Sequence, residues 1–158
     1  MSTALVAAGA TALAVYIASK CDAPVSFYKG KAGRIRNLEK LLGYAQHSLE
    51  IFTDLDPEVL CSMSITDAII DAAKRGVKIR LAYDAGEIPS LLKQLSDQKK
   101  LTIAKTEKME SAYFSVADKE HYTVETHEPF ANRPGMRFLS FSKKATSMSE
   151  KFEELIKA

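Results

Sequence analysis

"AAKRGVKIRLAYD", residues 72–84, joins the end of one regular element to the start of another. Before it, Ile65, Ile69 and Ala72 recur at helical spacing, and Ser64 or Thr66 can cap the start of "SITDAIIDAAKRG". Gly76 fits the exit of that helix, and Lys74 and Arg75 lie near its negative dipole end. Past the glycine the hydrophobic pattern alternates. Val77, Ile79, Leu81 and Tyr83 share one face of a strand, while Lys78 and Arg80 take the other. A helix that turns tightly into such a strand predicts a largely parallel sheet covered by helices on both faces.

The pattern extends in both directions. "CDAPVSFYKGKAG" (21–33) reads as a linker, a short strand and a glycine-containing turn, with Asp22 and Pro24 opposing any helix. "RIRNLEKLLGYAQHS" (34–48) sets Ile35, Leu38, Leu42 and Ala45 at helical spacing. "LEIFTD" (49–54) is a short apolar strand, after which Asp56 and Pro57 open a loop. Downstream come a short helix "IPSLLKQLSDQ" (88–98) and a strand "LTIAKT" (101–106). "ESAYFSVADKEHYTVET" (110–126) gives two strands around a tight corner at Asp118. "MRFLSFS" (136–142) is a further strand, and "KKATSMSEKFEELIKA" aligns Ala145, Met148, Phe152 and Leu155 as an amphipathic helix. The whole predicts a single α/β domain over about residues 25–158, with a mixed, largely parallel sheet flanked by helices.

Composition narrows the function less. The 158 residues suffice for one sizeable core, and a net charge of +2 does not by itself argue for nucleic acid. Cys21 and Cys61 have no metal or redox spacing, and His47, His121 and His127 form no ligand motif, so neither metal nor cofactor is expected. Residues 1–20 begin with a stretch free of charge and rich in alanine. As a helix this stretch is roughly 28 Å long, close to a bilayer's hydrocarbon thickness. It is expected to be an apolar helix, serving as a membrane anchor or packing on a partner. Lys20, Lys29, Lys31, Arg34 and Arg36 follow it, which would place the main domain on the cytosolic side; the alternative is a soluble cytoplasmic protein. Lys29, Lys31, Arg34 and Arg36 also form a basic cluster suited to a phosphate or anionic lipid headgroup, or simply to a solvated helix start.

Taken together, "GRIRNLEKLLGYAQHSLEIFTD", "ITDAIIDAAKRGVKIRLAYD", "SAYFSVADKEHYTVE" and "EKFEELI" resemble one repeat of the phospholipase D superfamily. The resemblance covers about 125 residues. It implies that family's fold and a site built on a histidine, any residue, a lysine, four residues and an aspartate, then a glycine–serine pair and an asparagine. There the histidine attacks phosphorus, a second protonates the leaving oxygen, and lysine and asparagine hold the nonbridging oxygens. With Asp118 on the family aspartate, Ser111 takes the nucleophile's place and Tyr113 the lysine's. Glu125 and Thr126 replace the glycine–serine pair, and Glu128 the asparagine.

The substitutions remove the attacking imidazole and the phosphate clamp, and they place carboxylates where an anion would sit, a repulsion worth several kcal/mol at low effective dielectric (order of magnitude). His121, and His127 beside Glu128, are read as structural or exposed rather than as replacement bases, and Cys61 as an inert thiol. Arg133 carries no special signal. Asp118 is expected to accept backbone hydrogen bonds at its corner. The expected function is that of a noncatalytic phospholipase D-like binding or structural domain, tethered to a membrane or a larger assembly, with a protein partner. A homodimer is a further expectation from active relatives. The chain is similar also to the effector domain of archaeal TrmB-type regulators, which implies the alternative of a sensor for a small neutral ligand. A divergent phosphodiesterase or nuclease is the third reading; nucleic acid is not expected as a partner.

Overall fold

The computed structural model describes residues 28–108, 110, 112–126, 134–135, 139–140 and 142–157. The elements are β1 (Tyr28–Lys29), α1 (Gly30–Tyr44), β2 (Ser48–Thr53), α2 (Pro57–Leu60), α3 (Met63–Lys74) and β3 (Lys78–Tyr83). They continue with α4 (Ser90–Asp97), β4 (Thr102–Lys105), β5 (Ala112–Ala117), β6 (His121–Thr126), β7 (Pro134–Gly135), β8 (Leu139–Ser140) and α5 (Ser142–Ile156).

Six strands form one sheet in the order β4-β3-β2-β5-β6-β8. The β2–β3 and β3–β4 pairs are parallel; β2–β5, β5–β6 and β6–β8 are antiparallel. The sheet is therefore mixed, α/β and helix-flanked as expected, but it is parallel only in its β4-β3-β2 half. The reason is local. Each parallel pair needs a helical crossover, which α3 and α4 supply, whereas β5 and β6 are joined by a tight turn that permits only antiparallel pairing. A small second sheet pairs β1, the short strand expected within residues 21–33, with β7, which was not foreseen.

Alternation along the strands divides the core in two. On one face Leu41 and Leu42 of α1 and Ile65 and Ile69 of α3 pack over Leu49, Ile51 and Leu81, with Leu92 and Leu95 of α4 joining them. On the other face Phe152, Leu155 and Ala145 of α5 pack over Phe52, Phe114, Val116 and Tyr122. Each fully buried large apolar side chain contributes about 1.5–3 kcal/mol by leaving water.

Several element ends differ from expectation. α1 begins at Gly30, not at Arg34, so "GKAG" is helical and Gly33 is buried. Gly30 starts it with φ +67°, which glycine takes without steric cost, and the burial of Gly33 overrides that residue's poor helix propensity. The cap of α3 is Ser62 rather than Ser64 or Thr66, and its hydroxyl donates backward to the Val59 carbonyl. The loop opened by Asp56 contains the short helix α2, whose start Asp56 caps by accepting from the Glu58 N–H at 3.0 Å. Gly76 (φ +87°) ends α3 as expected, the Val77 N–H bonding the Ala72 carbonyl at 3.1 Å. Residues 1–20, expected as an apolar helix, lie outside the described residues. Among the described residues no helix is long and apolar enough to cross a membrane.

Candidate functional site

The parallel strands β2 and β3 end together, and the loops after them carry Asp54, Asp56 and Asp84. Crevices at carboxyl ends of such strands are where ligands of α/β sheets usually lie. Here the two loops touch. A Cβ on Gly86 (φ +92°) would sit 3.2 Å from the Asp54 carbonyl oxygen, so glycine serves both the left-handed backbone and the close approach. Leu55, buried with φ +57°, occupies a conformation costly for a bulky residue. That kink sends Asp54 and Asp56 in the same direction, toward α1.

What they meet is Arg34. Its Nε donates to both oxygens of Glu125, at 3.0 and 2.9 Å. Its Nη1 reaches Asp56 at 2.9 Å and its Nη2 reaches Asp54 at 3.1 Å. One guanidinium thus holds three carboxylates from two parts of the sheet, and only 17% of its side chain is exposed. Burial alone would lower the Arg34 pKa, but Glu125, Asp54 and Asp56 outweigh it and raise it. Burial likewise pushes Asp54 up, and the Arg34 charge and hydrogen bond bring it below the ordinary carboxylate value.

β5 and β6 supply the remaining wall. Tyr113 lies opposite Glu125 in the antiparallel register, so both project to the α1 side of the sheet. Tyr113 is buried, its ring centroid 5.4 Å from that of Phe52, and its hydroxyl donates to Asp84 at 3.3 Å. A cavity of about 40 Å³ bordered by Arg34, Asn37, Phe52, Tyr113, Ser115 and Glu125 is what remains open. That volume suits water; a small-molecule site usually needs about 300–1,000 Å³.

The other expected positions separate from this cleft. Asp118 sits at the far end of β5 with φ +53°. Its carboxylate accepts the backbone N–H groups of Gln46, His47 and Ser48 at 2.7, 2.9 and 2.7 Å. Burial raises its pKa, but those three donors together bring it down. It ties the hairpin turn to the loop before β2, as a corner aspartate was expected to do. His121 opens β6 and stacks near Tyr44, centroids 5.2 Å apart. It is four residues from Glu125, about 13 Å along the strand. Cys61 is partly buried between α2 and α3, and burial pushes its thiol pKa up, consistent with an inert thiol. Thr126 ends β6 opposite Ala112. Ser111, His127, Glu128, Arg133 and Cys21 lie outside the described residues.

The expected basic cluster is not one surface. Arg34 turns inward to its carboxylates, and Lys31 pairs with Glu58. Because the helix already starts at Gly30, positions 31 and 34 fall on one side of α1, facing the loop after β2. Arg36 is exposed on another side, and Lys29 belongs to β1. Among the described side chains, Lys31, Arg34 and Arg36 therefore do not present one shared surface. Asp54 and Asp84 were not singled out in the sequence, and Asp56 only as the opening of a loop; their position just after two parallel strands was the available signal.

No protein-family model matches the chain, and no curated protein matches it. Solved structures do. TrmBL2, described as an archaeal chromatin protein with a novel mode of DNA binding, matches 84% of this chain with a TM-score of 0.67 and 19% identity. The chain spans 52% of that protein. A phospholipase D family member, Nuc from Salmonella typhimurium, matches 84% of this chain and 94% of its own, with a TM-score of 0.59 and 13% identity. This chain has the phospholipase D fold. NucT from Helicobacter pylori shares it too, with a TM-score of 0.65 and 12% identity over 85% of this chain and 96% of its own. Tyr113, the position expected to match the family lysine, lies on β5 and borders the cleft that holds Arg34.

Proposed function

We propose that this chain is a noncatalytic phospholipase D-like domain that works by binding, as a subunit of a larger assembly or a membrane-tethered module. The observation that carries the proposal is the Arg34 cluster. A phosphodiesterase cleft of this fold needs cations free to grip a phosphate and an imidazole to attack it. Here the cleft's arginine is bound by three carboxylates, and the group together carries one positive and three negative charges. A phosphate entering it meets net repulsion. Tyr113 fills the place of the clamp lysine, and among the described residues no histidine borders the cavity.

A protein partner is the occupant expected from the sequence, and Met63, 81% exposed at the start of α3, and Ile88, exposed in the loop after β3, are apolar side chains available to one. The effector-binding alternative that the sequence resemblance implies is weakened at this cleft, whose 40 Å³ cavity is too small for a ligand as large as a sugar.

The test is a phosphodiesterase assay on the purified full chain with bis(p-nitrophenyl) phosphate, single- and double-stranded DNA, and phosphatidylcholine. No turnover above buffer and no phosphorylated protein by intact mass are expected. Steady turnover, or a trapped phospho-adduct, would sink the reading. Fractionation of the full chain beside a deletion of residues 1–20 tests the tether: carbonate-resistant membrane association lost on deletion is the expected result.

A further inference from the structure

The opposite end of the sheet has a different character. α3 and α4 end side by side there, each with the same hydrogen-bond motif. After α3, Gly76 takes the left-handed position; after α4, Lys99 does so with φ +56°, its N–H on Ser96 at 2.8 Å and the Lys100 N–H on Leu95 at 2.9 Å. Glycine holds that position without steric cost and lysine does not. At the two helix ends and the amino ends of β3 and β4 runs a groove of about 610 Å³, whose bordering residues include Lys78, Arg80, Ser96, Lys99, Lys100 and Thr102. Among the described residues no carboxylate lines it. Lys78, Lys99 and Lys100 have no salt bridge among the described residues.

We infer that this groove binds a small ligand carrying two or more phosphate groups, free or as a lipid headgroup. The arginines nearby are committed. Arg80 donates to Glu50 and Glu153, and Arg75 donates to the carbonyls of Leu42 and Ala45. A planar carboxylate is best gripped by a free guanidinium fork, which the groove does not offer; lysines act as point charges suited to phosphate oxygens. Lys78, Lys99 and Lys100 together carry more positive charge than the two helix ends, at about half a negative charge each, can neutralise. The volume lies in the range of small-molecule sites.

The experiment is titration calorimetry of the full chain with inorganic pyrophosphate at low and moderate salt, beside flotation with phosphatidylcholine vesicles containing a phosphatidylinositol bisphosphate. Saturable one-to-one pyrophosphate binding is expected, weakened at least about tenfold in K78Q/K99Q and unchanged in K143Q/K144Q, whose charges lie on α5. The variant K99G separates folding from binding, since glycine fits the backbone there; it is expected to fold normally and bind more weakly. Pyrophosphate binding without vesicle binding assigns a free ligand, and binding of both assigns a headgroup. No binding of either at millimolar concentration overturns the proposal, as does equal weakening by K143Q/K144Q. An oligonucleotide that binds where pyrophosphate does not overturns it in favour of nucleic acid.

Discussion

Arg34 is the residue on which the cleft depends. Three carboxylates at side-chain exposures of 18% to 29% converge on it. Removing it leaves them facing one another, partly desolvated. R34M is therefore expected to cost about 2–4 kcal/mol in urea unfolding at neutral pH. Adding E125Q to R34M should restore part of that loss, because one of the repelling charges leaves with it. Asp118 makes a second prediction. Its charged carboxylate accepts three backbone bonds, so D118A should cost about 2 kcal/mol, discounted for partial exposure. D118N should cost less, since asparagine tolerates the left-handed backbone and keeps one acceptor. The folded pKa of Asp118 lies below its unfolded value. Its contribution is thus present above about pH 4 and is lost as pH falls through the folded pKa. Stability measured from pH 7 down to pH 3 should show the gap between wild type and D118N closing at the acid end.

At the scale of elements, α5 is the clearest case of a sequence pattern realised. Ala145, Phe152 and Leu155 are buried as the amphipathic stripe requires, and Met148 packs beside them. The Arg80 guanidinium lies 5.2 Å over the Phe152 ring and bonds Glu50 and Glu153, fastening the helix to β2 and β3. Phe152→Ala removes the buried ring and leaves a hole, at a cost of about 3–5 kcal/mol. Hydrogen exchange should show the amides of α5 losing protection ahead of those in β2 and β3. The start of α1 was illegible by contrast. "YKGKAG" carries two glycines, and local propensity reads it as a turn. Only the tertiary packing that buries Gly33 makes it helical, and no window of the sequence contains that information.

For the molecule as a whole, the parallel half of the sheet was legible because each helix follows its strand within a few residues, so periodicity and turn chemistry suffice. The hairpin at Asp118 was legible for the same reason. The cleft was not. Arg34 and Glu125 stand 91 positions apart, and their pairing depends on α1 crossing the sheet between β2 and β6. Read singly, one was an exposed cation and the other a repellent anion; folded, each answers the other. The charge thus sorts by end: carboxylates gather past the carboxyl ends of β2 and β3, and lysines around the amino ends of β3 and β4. The amides gathered by Asp118 carry a wider lesson. They moor a loop and require nothing of phosphorus. A scaffold needs that mooring whatever its cleft does, so a search for further chains of this fold does better to follow the corner carboxylate behind an alternating strand than any residue of the cleft.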